Sequence, residues 1–376
     1  MQCPFSPPIG LYVHVPFCVS KCAYCDFASF AGREADIPRY VEAVIREIGR
    51  RGAETGHPKA DTIFLGGGTP SLLDQRQVTR LLDALREAFS IDEDAEVTCE
   101  GNPGTLTPPF AKALRGAGGK RLSMGAQAMQ TRLLRRIGRI HDWEQVVASV
   151  EIARNAGFEN INLDLMFGLP SQTVADWRET LSAALALGPT HLSCYGLIVE
   201  EGTPIGHELA EGRLALPEED VEREMYELAR QSLAEHGFRQ YEISNFAREG
   251  YECRHNIGCW TRVPYLGFGW AAHSFFDERR TMNPSTLDGY LAGEEPKTEP
   301  ISREEARFES LMLGLRMTRG VKDEDFNRMH GITIREAFGE RLDKPINAGL
   351  LEWHEGSLTL TRLGMDLQNS VLVDLM

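Results

Sequence analysis

The segment Cys18-Val-Ser-Lys-Cys22-Ala-Tyr-Cys25 sets three thiols four and three residues apart in one short stretch. Thiolates are soft ligands, and three on one loop can each hold an iron of a four-iron cubane, which normally takes four. The remaining iron is then open to another molecule, much as a catalytic zinc keeps an open position. The competing chemistry is a structural zinc site, closed by His14, Cys99 or Cys194 as a fourth ligand. Zinc sites usually close with a second C-x-x-C pair, which this chain lacks, so the spacing favours the cluster. The other cysteines are Cys3, Cys99, Cys194, Cys253 and Cys259. Met1-Gln2-Cys3-Pro4-Phe5 offers no basic region followed by an apolar run. The expectation is therefore a cytoplasmic chain whose eight cysteines serve metal chemistry rather than disulfides.

The elements that must carry this loop are short β-rich runs, each followed by a helical pattern. The runs are 11–15, 62–65, 96–99, 121–124, 161–166 and 191–197, with amphipathic helices over 38–51, 77–89, 143–156 and 174–187. Strand–helix alternation of this kind predicts parallel βα units with right-handed crossovers. Six units make an α/β fold, an incomplete (β/α)6 barrel; a doubly wound sheet is the rival. The unusual residues fall after the strands: the cysteines after the first, Gly66-Gly67-Gly68-Thr69-Pro70 after the second, Glu100 and Asn102 after the third. Gln127 follows the fourth, and Asp164 with Gly168-Leu169-Pro170 closes the fifth. In parallel barrels these strand ends build the active site.

Past residue 240 the rhythm changes to an irregular stretch rich in Gly and aromatics, and 288–300 reads as a polar, acidic linker. From 301 onward two helical patterns precede a hairpin, as in a small winged-helix module. The expected division is thus 1–240 for the partial barrel, 241–300 for the irregular segment and linker, and 301–376 for a helical, winged-helix-like domain.

Forty Lys and Arg against 55 Asp and Glu leave a net charge of −15, which argues against nucleic acid as a partner. No run reaches the roughly 18 apolar residues of a membrane-spanning helix, which leaves at most a peripheral membrane contact.

The cysteine spacing, with an aromatic before the third Cys, resembles the radical S-adenosylmethionine superfamily. Tyr12-Val-His14-Val-Pro-Phe-Cys18, Gly66-Gly-Gly-Thr69-Pro70, Glu100-Gly-Asn102-Pro103, Gly125-Ala-Gln127, Gly138-Arg139-Ile-His141 and Asp164-Leu-Met-Phe-Gly168-Leu-Pro170 follow in the order of the oxygen-independent coproporphyrinogen oxidase branch. Gln240–Ala247 and Cys253-Arg254-His255-Asn256 resemble its HemW subgroup, the heme chaperones. The resemblance spans nearly the whole chain. It implies a 4Fe-4S cluster on Cys18, Cys22 and Cys25, with S-adenosylmethionine on the open iron. It further implies cofactor contacts from Tyr12, Tyr24, Gly67, Gly68, Thr69, Glu100, Gln127, Arg139 and Asp164. Asp164 suits ribose hydroxyls and Arg139 a carboxylate.

Two departures bear on activity. The oxidases carry a further Cys two residues after the third cluster ligand, where this chain has Phe27, which neither ligates nor donates. His255-Asn256-Ile-Gly-Cys259-Trp260 resembles the HNxxYW signature of the chaperones, with Cys259 in the Tyr position. Imidazole and thiolate both ligate heme iron, so His255 leads and Cys259 follows as heme ligand. The plainer reading is that His255 and Trp260 pack the seam between barrel and C-terminal module. The resemblance implies a heme chaperone that hands heme to apo-proteins of the respiratory chain, reduced by a flavodoxin- or ferredoxin-type donor. The alternatives are a coproporphyrinogen III dehydrogenase and a radical methyltransferase of the same branch; catalytic residues are assigned to none.

Overall fold

The computed structural model describes residues 8–376; Cys3 and the start of the chain lie outside the described residues. Six strands pair in chain order, each parallel to the next: β1 (Ile9–Val15), β2 (Lys59–Gly67), β3 (Ser90–Gly101), β4 (Arg121–Gln127), β5 (Asn160–Phe167) and β6 (His191–Gly196). A doubly wound sheet reverses its strand order at a switch point. Here the order runs straight through, so the partial barrel stands and its rival falls.

The intervening helices are α1 (Ile37–Thr55), α2 (Gln75–Ala88), α3 (Pro108–Gly116), α4 (Trp143–Asn155), α5 (Val174–Ala186) and α6 (Glu219–Glu235). Reciprocal capping boxes start three of them, from Asp74 and Gln77, Asp142 and Gln145, and Thr173 and Asp176. Each such N-cap is worth about 1 kcal/mol and fixes where the chain leaves its loop.

Period-2 alternation sorts the strands into two faces. Leu11, Val13, Ile63, Leu65, Val97, Leu122, Met124, Ile161 and Leu163 are buried in the apolar layer under the helices. The alternate positions carry Tyr12, His14, Phe64, Glu100, Ser123, Asn162, Asp164 and Ser193, which face the barrel lumen. A sheet otherwise buried on both sides thus spends one face on polar and aromatic groups.

Beyond β6 the sheet continues antiparallel through β7 (Asn245–Ala247) to the short strand Arg239–Gln240. On the other edge β8 (Tyr265–Phe268) lies parallel to β1, a seventh parallel strand drawn from the stretch expected to be irregular. An antiparallel run of β9 (His273–Phe276), β10 (Arg279–Met282) and β11 (Lys297–Pro300) completes that edge. The stretch read as a linker is therefore ordered, with helix Leu287–Ala292 and β11 inside it. Buried Glu47 of α1 holds this segment down, accepting hydrogen bonds from the Gly269 amide (2.8 Å), Asn283 Nδ2 (2.7 Å) and the Tyr290 hydroxyl (2.7 Å).

Helix α7 (Arg254–Trp260) crosses between β7 and β8, and α8 (Arg303–Gly314) opens the C-terminal module. That module has its own core around Leu311, Phe326, Ile334 and Leu358, and a three-stranded sheet containing the hairpin Leu351–His354 with Ser357–Leu360. Among the described residues no helix is long and apolar enough to cross a membrane.

Candidate functional site

The loop after β1 carries Cys18, Cys22 and Cys25, all free thiols and partly exposed. It is pinned from several directions. The Ala23 amide donates to the Ile137 carbonyl (2.9 Å) and the Ile205 amide to the Ala23 carbonyl (3.0 Å). His14 Nε2 bonds the Ala28 carbonyl (2.7 Å) and its Nδ1 the Tyr12 hydroxyl (2.8 Å). Gly138 has no side chain because a Cβ there would meet the Ala23 amide at 2.8 Å. Burial pushes the Cys25 thiol above its ordinary value.

The exit of β2 lies against the root of this loop. Gly67 has φ of +107° and a Cβ there would run into His14, while a Cβ on Gly68 would meet the Val15 and Phe17 carbonyls at 2.8 Å. Only glycine fits either place. The Gly67 amide is already engaged, donating to Glu100 Oε2 at 3.1 Å. Thr69 accepts from Asn102 Nδ2 (2.8 Å) and donates to Cys18 Sγ (3.6 Å). Burial, then the charge of Asp164, pushes the Glu100 carboxyl up to about 8.

Arg139 joins the loop to the lumen. It donates to Cys22 Sγ (3.4 Å), Asn102 Oδ1 (2.9 Å) and the Gly125 carbonyl. Gln127 sits at a register shift between β4 and β5 with φ of +55°, a left-handed conformation costing roughly 1–2 kcal/mol in a non-glycine residue. Asp164 accepts from Asn162 Nδ2 (2.8 Å) and Ser123 Oγ (3.5 Å), and burial raises its pKa. Burial likewise raises the Tyr12 and Tyr24 hydroxyls.

The residues present fit a cluster and its nucleotide-like companion better than a single ion. Arg139 Nε and Gln127 Oε1 are buried without hydrogen-bond partners, at the place where Arg139 approaches Cys22. A mononuclear zinc ion would need a fourth protein ligand beside the three thiolates to close its tetrahedron. The fourth zinc ligands considered from sequence are engaged elsewhere. Cys99 and Cys194 pack in the apolar layer under the helices, and both nitrogens of His14 are hydrogen-bonded.

At the opposite end of β1, roughly 20 Å away at about 3.3 Å per residue, α7 closes the base of the barrel. Glu96, midway along β3, holds its N-terminus: the carboxylate accepts from the amides of Arg254 (3.0 Å) and His255 (3.2 Å) and from Cys253 Sγ (3.4 Å). His255 and Cys259 are four residues apart and share one helix face. His255 Nδ1 bonds Thr62 Oγ1 (3.0 Å), its ring stacks on Phe64, and Gly10 lies opposite, where a Cβ would sit 3.2 Å from the imidazole. Burial pulls its pKa down to about 4 and pushes Cys259 up to about 11. A cavity of 310 Å³, lined by Gly10, Thr62, His255, Gly258, Cys259 and Tyr265, opens beside this face.

Trp260 does pack the seam: the Arg316 guanidinium lies 4.5 Å from its ring centre and pairs with buried Glu242 at 3.3 Å. Buried Arg262 pairs across the same seam with Glu309 (3.1 Å). His255 instead turns into the barrel. The polar residues singled out from sequence thus fall into two groups, one at each end of the strands. Sequence reasoning passed over Glu96, Arg121, Phe64 and Tyr195. A period-2 reading would have found them, since Glu96-x-Thr98-x-Glu100 and Arg121-x-Ser123 place polar groups on one strand face.

A partial parallel barrel with a three-cysteine loop after its first strand defines a radical S-adenosylmethionine protein, and residues 12–184 match the Radical SAM superfamily model. Residues 301–367 match the HemN C-terminal domain. The solved coproporphyrinogen III oxidase HemN of Escherichia coli superposes with a TM-score of 0.84, covering 98% of this chain and 90% of that one at 24% identity, which speaks to the fold alone. The heme chaperone HemW of Bacillus subtilis (strain 168) is 38% identical over 367 residues, 96% of this chain and 97% of that protein. HemW of Escherichia coli (strain K12) is 33% identical over 374 residues, 97% of each. The chain belongs to the HemW family within the radical SAM superfamily.

Proposed function

We propose that this protein is a heme chaperone that binds heme at α7 and hands it to apo-proteins of the respiratory chain. The observation that carries the reading is the pairing of His255 and Cys259 on one helix face beside a 310 Å³ cavity at the barrel base. Heme needs an apolar slot and a strong axial ligand, and neutral imidazole is a common one. His255 is the leading ligand and Cys259 the second.

Cys18, Cys22 and Cys25 would hold a 4Fe-4S cluster, and Tyr12, Tyr24, Gly67, Gly68, Thr69, Glu100, Gln127, Arg139 and Asp164 would surround S-adenosylmethionine. When bound, the cluster would supply one-electron chemistry, with a flavodoxin- or ferredoxin-type donor feeding it. Arg139 would bind a carboxylate through its unpartnered Nε side, Asp164 would accept ribose hydroxyls, and Glu100 would hold the Gly67 strand exit. Phe27, 62% exposed where the oxidases carry a thiol, supports a chaperone over an oxidase. The division 1–240, 241–300 and 301–376 and a cytoplasmic location with at most peripheral membrane contact belong to the same reading.

The test is one anaerobic preparation titrated with heme and assayed for coproporphyrinogen conversion and methyl transfer. Saturable heme binding, altered in His255→Ala, without turnover supports the chaperone. Turnover without saturable heme binding overturns it in favour of an enzyme.

A further inference from the structure

Consecutive residues of β2 hold consecutive residues of α7. Asp61 Oδ2 pairs with the Arg254 guanidinium at 2.9 Å, and Thr62 Oγ1 lies 3.0 Å from His255 Nδ1, both side chains of the second contact being buried. The strand departs from regular pairing to bring this about. Against β1, Ala60 pairs with Ile9 but Thr62 with the very next residue, Gly10, so Asp61 is the extra residue of a bulge. Pairing with β3 breaks between Ala60 and Thr62 as well. A bulge re-aims the side chains beside it. Here it comes just before Thr62, which shares the lumen face with Phe64 at the next alternate position.

The imidazole is bounded on its other sides too. Its ring stacks on Phe64. Gly10 leaves the space beside its Nδ1 edge clear, since a Cβ there would sit 3.2 Å from both His255 Cε1 and Thr62 Oγ1. Thr62 takes up Nδ1, and Nε2 makes no hydrogen bond among the described residues. Gly10, Thr62 and His255 all line the 310 Å³ cavity at the barrel base.

In a neutral imidazole one nitrogen carries the proton and the other the lone pair, and the partner of one fixes the role of the other. A threonine hydroxyl can donate or accept. Only when Nδ1–H donates to Oγ1 does Nε2 keep the lone pair that iron needs. We propose that Thr62 is the positioning residue of the heme site: it accepts a hydrogen bond from His255 Nδ1–H, fixes the rotation of the ring and leaves Nε2 free to bind heme iron. The inference rests on the heme-chaperone reading and adds to it the group that sets the ligand's tautomer. Thr62 acts through the imidazole and needs no contact with heme. Its branched side chain has few rotamers, so the acceptor is in place before heme arrives.

The experiment has two parts. Nitrogen NMR of the full chain with isotope-labelled histidine reads the tautomer without heme, the His255 signals being those missing from His255→Gln. A proton on Nδ1 is expected; a proton on Nε2 overturns the proposal. Heme is then titrated into the wild type, Thr62→Val and Thr62→Ser, and the midpoint potential of the bound heme is measured. Thr62→Val keeps the shape without the acceptor. It should weaken binding roughly 10- to 100-fold, as loss of the partner of a metal-bound imidazole does, and raise the potential because the ligand becomes less basic. Thr62→Ser should restore both. Unchanged affinity and potential in Thr62→Val overturn the role of Thr62 while leaving the chaperone standing. So does a loss that Thr62→Ser fails to restore, which would mark packing rather than the hydroxyl. If Thr62→Val does not fold, the wild-type tautomer decides. A wild type that binds no heme removes the chaperone reading and this role together.

Discussion

Phe64 stacks on the imidazole of His255, ring centres 5.1 Å apart and planes 28° from parallel. The same ring stacks on Tyr12 at 6.2 Å and 29°, and the Tyr12 hydroxyl bonds His14, which in turn holds the Ala28 carbonyl of the cysteine loop. A continuous file of aromatic groups therefore connects the basal helix with the loop at the far end of the barrel. It also explains why His255 is so strongly desolvated.

That desolvation has a pH signature. His255 titrates near 4 in the folded chain because burial disfavours its charged form, with Glu96 and Arg121 acting on it in opposite senses. Its ordinary value is about 6.5, so the unfolded chain takes up this proton first. Stability is full above pH 6.5 and falls as pH drops from 6.5 to 4, by about 3 kcal/mol for this group. Urea unfolding midpoints at pH 7 and pH 4.5 should separate less in His255→Gln than in the wild type. Heme affinity should stay level from pH 7.5 to 5.5, because the imidazole remains neutral; a decline centred on pH 6.5 would place the ligand at an exposed histidine instead.

For the cysteines, Ala replacement at position 18, 22 or 25 should abolish the visible absorption of the reconstituted cluster while leaving the circular dichroism unchanged. Cys99→Ala, Cys194→Ala, Cys253→Ala and Cys259→Ala should retain it, since the first three are buried away from the loop and the last lies on α7. Loss of the cluster in Cys99→Ala with retention in Cys18→Ala would reverse the assignment.

Glu100 gives the opposite pH behaviour. Its folded value of about 8 lies above the ordinary carboxylate range, so its contribution is full below about pH 4.5 and is lost as pH rises through 8. The side chain is partly open to the lumen, which screens the penalty to about 1–2 kcal/mol at pH 8. Glu100→Gln should therefore raise the melting temperature at pH 8 and change it little at pH 5, and it should keep the Gly67 amide bonded. A lower melting temperature at both values would mean that the carboxylate itself is required for the strand exit.

The six parallel strands and their helices were legible because apolar alternation and capping residues mark both ends of each unit. The cysteine loop was legible because its spacing is itself chemistry. β8 was not: it is four residues long in a Gly-rich, aromatic stretch, and its strand character comes from pairing with β1 rather than from pattern. The helix and strand within 288–300 were hidden for a similar reason, because polar residues on an edge meander read as a linker. Arg121 and Glu96 drew no attention in the sequence, because a lone charge in a short strand run carries no signal of burial; closure of the sheet into a lumen buries both. His255 was legible as a residue of interest, but its direction into the barrel depends on Glu96 gripping α7 from a strand about 160 positions earlier in the chain.

The remaining prediction separates two side chains that sequence placed in one group. Asp164 accepts from Asn162 and Ser123 and touches no part of the cysteine loop through a hydrogen bond, whereas Arg139 donates directly to Cys22 Sγ and also ties Asn102 and Gly125 together. Asp164→Ala should weaken S-adenosylmethionine binding by roughly 10- to 150-fold, the value of a charge-assisted contact of about 1.5–3 kcal/mol, with cluster content unchanged. Arg139→Ala should weaken binding at least as much and also shift the cluster's absorption or its midpoint potential, because the sulfur loses a charged donor. Arg139→Lys keeps the charge but not the fork, so it should restore the spectrum more completely than the affinity. Calorimetry on apo-cluster and reconstituted protein, beside iron and sulfide analysis, distinguishes these outcomes. Unchanged affinity in both Ala variants would remove the lumen mouth as the S-adenosylmethionine site.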